Sequence, residues 1–393
     1  MRIEAVDVFF LALPVIEDIG DGSQDMVLVR VRAGGYTGWG ESEASPLPTI
    51  AAFVAPPSHS ACHGVLDSVL GEPVDGPGDI LRLSRRVAER GLDLLQTPHA
   101  WSGVEIALWD LLGKAREEPA WSVLGLAASH PRRPYASQLF GDDPQQTFDR
   151  ARTVAADGYR AAKFGWGPYG RGSVRADADQ VMAAREGLGP DASLLVDAGT
   201  VWGEDVEAAA ARLPALEAAG VVWLEEPFVG GALDAHAALA AQAGSVRLAG
   251  GEGAHNAWAA RALVDHGGLG FVQVDTGRIG GLGPAREVAR HAAARGVVHV
   301  NHTFTSHLAL AASLVPYADY RGELLCEYPV APSPLALGLT RTHLDRDDEG
   351  LVRLPDAPGL GLELDLDAVR GYLQDVEITI DGRVAYRTPE LEQ

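Results

Sequence analysis

Seven short apolar runs in this chain each end on a residue able to carry a proton or bind a metal. They are YRAAK ending on Lys163, SLLVD on Asp197, VVWLE on Glu225, RLAGGE on Glu252, FVQVD on Asp275, VHVNH on His302 and ELLCE on Glu327. From Asp197 to Glu327 the steps are 28, 27, 23, 27 and 25 residues, a length that fits one strand, one helix and two loops. Parallel strands joined by helices present their C-terminal ends on one face, and a closed barrel gathers those ends into a ring. The intervening stretches EDVEAAAARLPALEAAG, AHNAWAARALVDHGG and GPAREVARHAAARG read as Ala-rich helices ended by glycine. Seven residues far apart in sequence are therefore expected to meet at one site.

With 393 residues the chain exceeds what one core usually holds. Residues 1–130 have a different texture, with the alternating run MVLVRVRA and the meander GYTGWGE before helical segments, and read as an α+β domain. In WSGVEIALWDLLGKAREEPAWSVLG, Val104, Ala107, Leu108, Leu111 and Leu112 fall on one helical face. Residues 131–330 read as the barrel, its first strand ending near Gln138. Residues 331–393 pass through Pro-rich loops into a short helix and a strand, with no evident eighth barrel helix, and are expected to return to the first domain. The segments EDIGDGSQD and SEASPLPTIAAF read as mobile loops.

A net charge of −22 excludes nucleic acid and anionic membranes as partners. No apolar stretch reaches the roughly 20 residues needed to span a bilayer. The two cysteines, Cys62 and Cys326, fit a reduced protein, and the N-terminal run alternates with acids and lacks a cleavage site. A cytoplasmic location is expected.

Asp197, Glu225 and Glu252 on consecutive strand ends supply hard oxygen ligands without sulfur or imidazole, the donor set of a Mg²⁺ site. Taken singly, each is equally a helix cap or a surface charge; in register on three strands they read as one site. Glu226 follows as a supporting acid. Lys163, on a buried strand end near a dication, is expected to have a lowered pKa and to act as a base; the alternative is a carboxylate or phosphate anchor. His302 stands one βα unit after Asp275, whose carboxylate is placed to hold its ring. Glu327, protonated by burial, reads as a donor to a developing oxyanion or as a plain structural acid.

These motifs resemble the mandelate racemase and muconate lactonizing enzyme group of the enolase superfamily, over nearly the whole chain. GYTGWGE and SGVEIALWDLLGKAREEPAWSVLG are similar to its capping-domain motifs; VDAG, WLEEP and AGGE to the stretches carrying its three metal ligands; VDTGRIGG and NHTFTSHLALAASL to those carrying its Asp–His dyad; and CEYP and APGLG to its last barrel strand and tail. The resemblance implies a (β/α)7β TIM-like barrel with an α+β N-terminal capping domain completed by the C-terminal tail. It implies Mg²⁺ on Asp197, Glu225 and Glu252, the dyad Asp275–His302, and Glu327 as the oxyanion-stabilising acid. Two positions depart from the pattern. Ala161 stands where a first lysine of a Lys-x-Lys pair is common, leaving Lys163 alone, and Gly199 stands where many members have asparagine.

The resemblance further implies abstraction of the α-proton of a small-molecule carboxylate, with the cap closing over the barrel mouth, in a homo-oligomer. Dehydration of an acid sugar to a 2-keto-3-deoxy acid is the leading expectation, with Lys163 as base and His302 as acid. Gln24, Asp25, Trp166 and Arg171 are expected to read the substrate's hydroxyls, and Arg171 or Arg278 to meet a second carboxylate where one is present. Racemisation or epimerisation by the same two groups is the alternative. A noncatalytic metal-binding protein is the alternative of another class.

Overall fold

A computed structural model describes residues 1–322 and 324–392. Strands β1 (Ile3–Ala12), β2 (Asp25–Ala33) and β3 (Tyr36–Ser42) form an antiparallel sheet in the order β1-β2-β3. The helix Thr97–Arg116 lies across it, buried on nearly every side from Ala100 to Gly113. The sequence pattern predicts one apolar face. The difference arises because the cap sheet covers one side while its other side meets the barrel. Glycines in GYTGWGE permit the close approach: a Cβ on Gly38 would stand 1.9 Å from the Ala107 carbonyl oxygen, and one on Gly40 2.1 Å from that of Gly103.

Eight parallel strands follow: β4 (Arg133–Leu139), β5 (Ala161–Gly165), β6 (Ser193–Asp197), β7 (Val221–Glu225), β8 (Arg247–Gly250), β9 (Phe271–Asp275), β10 (Val298–His302) and β11 (Leu325–Pro329). They hydrogen-bond in the order β10-β9-β8-β7-β6-β5-β4-β11, each joined to the next in sequence through helix, which is the (β/α)7β topology. The expected helix after β6 is divided into Val206–Ala210 and Leu213–Ala218, because Pro214 has no N–H to continue the ladder. Between β10 and β11 the side chain of Asn301 takes over from a backbone ladder: its Oδ1 accepts the Glu327 N–H at 2.9 Å and the Tyr317 hydroxyl at 2.9 Å, and its Nδ2 donates to Ser313 Oγ at 2.9 Å.

After β11 the chain makes the short helices Pro334–Gly338 and Leu366–Val369 and the hairpin β12 (Glu377–Ile380) and β13 (Arg383–Arg387). This tail completes the cap. The Tyr386 hydroxyl donates to the Val8 carbonyl at 2.7 Å and the Gln374 N–H to that of Phe10 at 2.8 Å. The segment SEASPLPTIAAF, expected as a mobile loop, instead folds into the helix Pro46–Val54, with proline in its first turn where a missing N–H costs nothing.

Glu105 ties cap to barrel. Its carboxylate accepts the Trp109 indole N–H at 2.8 Å and the N–H groups of Leu282 and Gly283 at 2.7 and 2.9 Å, at the start of the barrel helix Leu282–Ala293. It therefore caps a helix from another part of the chain, aided by that helix's dipole. Glu105→Ala strands three donors, two of them buried, and is expected to cost about 2–4 kcal/mol in urea unfolding; a loss below about 0.5 kcal/mol is the range of an ordinary surface substitution and would contradict this role.

Candidate active site

Side chains alternate across a strand, so residues two apart share a face. Inside the barrel, Tyr135, Ala161, Leu195, Trp223 and Val300 pack as one apolar layer with Ala249 and Phe271. Two residues further along the same strands stand Ser137, Lys163, Asp197, Glu225 and His302, with Glu327 and Asp275 at the corresponding strand ends. The apolar layer is thus the dry floor beneath a ring of ionisable groups. Of the seven expected strand-end residues, Lys163, Asp197, Glu225, Asp275, His302 and Glu327 are buried and Glu252 is half-buried.

One carboxylate oxygen from each of Asp197, Glu225 and Glu252 lies within 4.8 Å of the others. Burial pushes the Asp197 carboxyl up to about 6 and that of Glu225 up to about 8, with Lys163 opposing both shifts and the neighbouring acids adding to them. Against its burial, His302 and Arg278 hold Glu252 well below the usual carboxylate range. Three converging acids with no sulfur or imidazole among them fit a hard dication such as Mg²⁺. Glu225 is further oriented by Trp223 Nε1 and Gln273 Nε2, each donating at 3.0 Å, and Glu226 accepts the N–H groups of Gly251 and Gly253 at 3.2 and 3.4 Å. If the three acids hold Mg²⁺, the ion raises the melting temperature, corresponding to about 2.7 kcal/mol at a hundred times its dissociation constant. Asp197→Asn is expected to abolish most of that rise in a thermal-shift titration.

Lys163 Nζ lies 2.6 Å from Glu225 Oε1, 2.9 Å from Glu327 Oε1 and 3.5 Å from Asp197 Oδ2. Burial opposes its charge, but Glu225 and Glu327 outweigh this and hold the ammonium well above the usual lysine range. The lowered pKa expected from sequence is not what the chain alone produces: that expectation placed a dication beside the lysine, whereas the protein's own field here is three carboxylates.

His302 Nδ1 lies 2.7 Å from Asp275 Oδ2, and the Gly277 N–H donates to Asp275 Oδ1 at 2.6 Å. His302 Nε2 faces Glu252 Oε2 at 3.1 Å. Burial disfavours the imidazolium, yet Glu252, Glu43 and Glu327 together with the Asp275 hydrogen bond hold it well above the ordinary histidine range. Glu327 accepts from Ser137 Oγ and the Thr303 N–H, both at 2.8 Å, as well as facing Lys163. Both its oxygens are thus engaged by groups of the chain itself.

These groups open into a cavity of about 230 Å³ lined by Lys163, Asp197, Glu252 and His302 from the barrel and by residues 19–22 and Glu43 from the cap. Trp166, among the four expected hydroxyl readers, lines this cavity. Gln24 does not: its side chain bonds the backbone of Glu17 and Asp21, pinning the loop to itself. Asp25 begins β2 opposite Ala12, and Arg171 is exposed outside the cavity. Arg278, considered for a second carboxylate, is engaged by Glu43 at 2.5 Å and Glu252 at 3.5 Å. Sequence reasoning missed Glu43, Ser137 and Asn301. Glu43 sits just past a meander and carries no strand-end signal, although its position two residues after the glutamate of GWGE was visible.

The fold and this constellation define a barrel with a buried ring of ionisable groups at the C-terminal ends of its strands, and comparison with known proteins gives the family. Residues 146–369 match the enolase C-terminal domain-like family and residues 15–125 the mandelate racemase/muconate lactonizing enzyme N-terminal domain, and the chain belongs to this group of the enolase superfamily. It is 31% identical over 301 residues to a D-galactarolactone cycloisomerase of Agrobacterium fabrum, covering 73% of this chain and 76% of that protein. It is 27% identical to a D-xylonate dehydratase of Haloferax volcanii, covering 92% and 88%. A solved structure described as a predicted mandelate racemase from Rhodobacter sphaeroides is 61% identical, with a TM-score of 0.95 over 99% of this chain and 100% of that one.

Proposed function

We propose that the protein removes the C2 proton of an acid-sugar carboxylate and expels the C3 hydroxyl as water, giving a 2-keto-3-deoxy acid. The observation that carries this reading is that Lys163 and an Asp275-bound His302 face one cavity beside three acids fit for Mg²⁺. A dehydration needs a base and a separate acid, and these are two such groups. Asp197, Glu225 and Glu252 are the residues to hold Mg²⁺. When bound there it supplies positive charge to offset that developing on the substrate carboxylate and to counter the negative field around Lys163.

Lys163 accepts the C2 proton while the C2–H electron pair moves toward the carboxylate carbon. The C3–O bond then breaks as His302 gives its Nε2 proton to the departing hydroxyl, forming water. Asp275 holds the ring through Nδ1, so that Nε2 is the proton-bearing atom turned to the cavity. The enol loses its hydroxyl proton as C3 gains one, and exchange with solvent restores Lys163 and His302. Glu327, fixed by Ser137 and Thr303, orients Lys163 through their 2.9 Å contact.

Epimerisation at C2 is the second reading. Lys163 and His302 both line the cavity, and a base on each side of C2 would serve to remove the proton from one face and return it to the other. Incubation of a panel of aldonates and aldarates with Mg²⁺, followed by a colour assay for 2-keto acids, tests the leading reading. A keto-acid product is expected; a C2 epimer without keto acid moves the assignment to the epimerase.

A further inference from the structure

The loop between β1 and β2 reaches over the cavity, and one barrel residue receives it. Trp166 follows directly on β5, three residues past the strand's inward Lys163, with a φ of 56° in the left-handed region that residues other than glycine seldom occupy. Its indole lies between two glycines from different parts of the chain. A Cβ on Gly20, in the cap loop, would stand 2.9 Å from Trp166 Cγ, and one on Gly199, in the loop after β6, 2.8 Å from Trp166 Cε2. Real Cβ atoms do not come so close, so both positions are held to glycine by the ring. The root of the cap loop is anchored separately, by Gln24 to Glu17 and Asp21 and by Ser333, whose N–H donates to Ser23 Oγ at 2.9 Å. The tip at Gly20 rests on the indole.

We infer that Trp166 is a specificity-determining residue: it latches the cap loop over the cavity and, in the room left by Gly199, offers an aromatic wall to the uncharged end of the substrate. The chemistry of that wall supports this. Trp166 lines the cavity with Ile19, Leu139 and Phe304, while the cations lining it are Lys163, His302 and an Arg278 already engaged by Glu43 and Glu252. An indole face packs well on the C–H face of a sugar chain and supplies nothing to a second carboxylate. The occupant inferred is therefore a monocarboxylate with an uncharged distal end. Gly199 also explains itself in these terms: its φ of 55° is one that asparagine tolerates, so the indole rather than the backbone excludes an asparagine there.

The latch is tested without substrate; the substrate class rests on the proposed function. Wild type, W166A, G199N and W166A/G199N are compared by thermal melting and by endoproteinase Glu-C cleavage at the exposed Glu17. W166A is expected to be cut about tenfold faster, as loss of the packed ring lowers the cost of opening the loop. G199N is expected to lower the melting temperature clearly when Trp166 is present and little in W166A, a coupling that only direct contact gives. Equal cleavage rates, or an equal cost of G199N in both backgrounds, would overturn the latch. W166F, which keeps a smaller ring, carries the same cleavage test if W166A does not fold, with an intermediate rate expected. On the aldonate that wild type consumes, W166A is expected to raise KM about tenfold with a smaller change in kcat, and W166F to recover most of it. Faster turnover of aldarates than of aldonates would overturn the substrate class; no turnover of either by wild type means that the proposed function has failed, and the cleavage and melting results then decide the latch alone.

Discussion

Lys163→Ala is expected to lower kcat about 10⁴-fold, the upper range for removing a positioned base, and to abolish exchange of the substrate's C2 proton with solvent. Its effect on stability should be equally informative. The ammonium is buried against Glu225, Glu327 and Asp197 at 2.6, 2.9 and 3.5 Å, and taking it away leaves three carboxylates in low dielectric without their cation. Breaking a buried pair in this way costs about 3–5 kcal/mol. Two of those carboxylates belong to the acid cluster fit for a dication, so Mg²⁺ should raise the melting temperature of Lys163→Ala more than that of wild type. Thermal melts of both proteins with and without Mg²⁺ read this directly. A variant as stable as wild type without metal would mean that the lysine does not balance the acids.

His302→Asn is expected to lower dehydration about 10³-fold, within the range for losing a general acid, while slow exchange at C2 persists because Lys163 remains. Asparagine can still bond Asp275 but cannot deliver a proton, and Glu252 loses the imidazole that faces it at 3.1 Å. Proton NMR of the substrate in D₂O separates the two steps: deuterium at C2 should accumulate in the substrate while water loss is blocked. If exchange also disappears, His302 rather than Lys163 removes the proton, and the two roles are reversed.

The barrel was legible in the sequence because its period is a local property. Runs such as SLLVD and VVWLE announce buried parallel strands, and the near-constant spacing of their terminal acids follows from the size of a βα unit. The meeting of Lys163, Asp197, Glu225, Glu252, Asp275, His302 and Glu327 follows from that topology. What stayed hidden was decided by contacts between distant segments. Glu43 reaches the dyad's neighbourhood only because β3 packs beside the barrel mouth, where it pairs with Arg278. Asn301, inside a motif read for its histidine, joins β10 to β11 through a side chain that no period marks. Gln24 and Arg171 looked like readers of hydroxyls because they are polar and lie in loops, yet one is spent on its own loop and the other faces solvent. The ionisation of Lys163 depends on the sum of nearby charges, which spacing alone does not give.

The most direct test of the central reading is proton NMR of the reaction in D₂O, with wild-type protein, Mg²⁺ and the aldonate that gives the strongest keto-acid signal. The account predicts a 2-keto-3-deoxy product with one deuterium at C3, formed with no C2 epimer and about 10⁴-fold more slowly in Lys163→Ala. Deuterium at C2 of an otherwise intact hydroxy acid of inverted configuration, with no keto product, would contradict it.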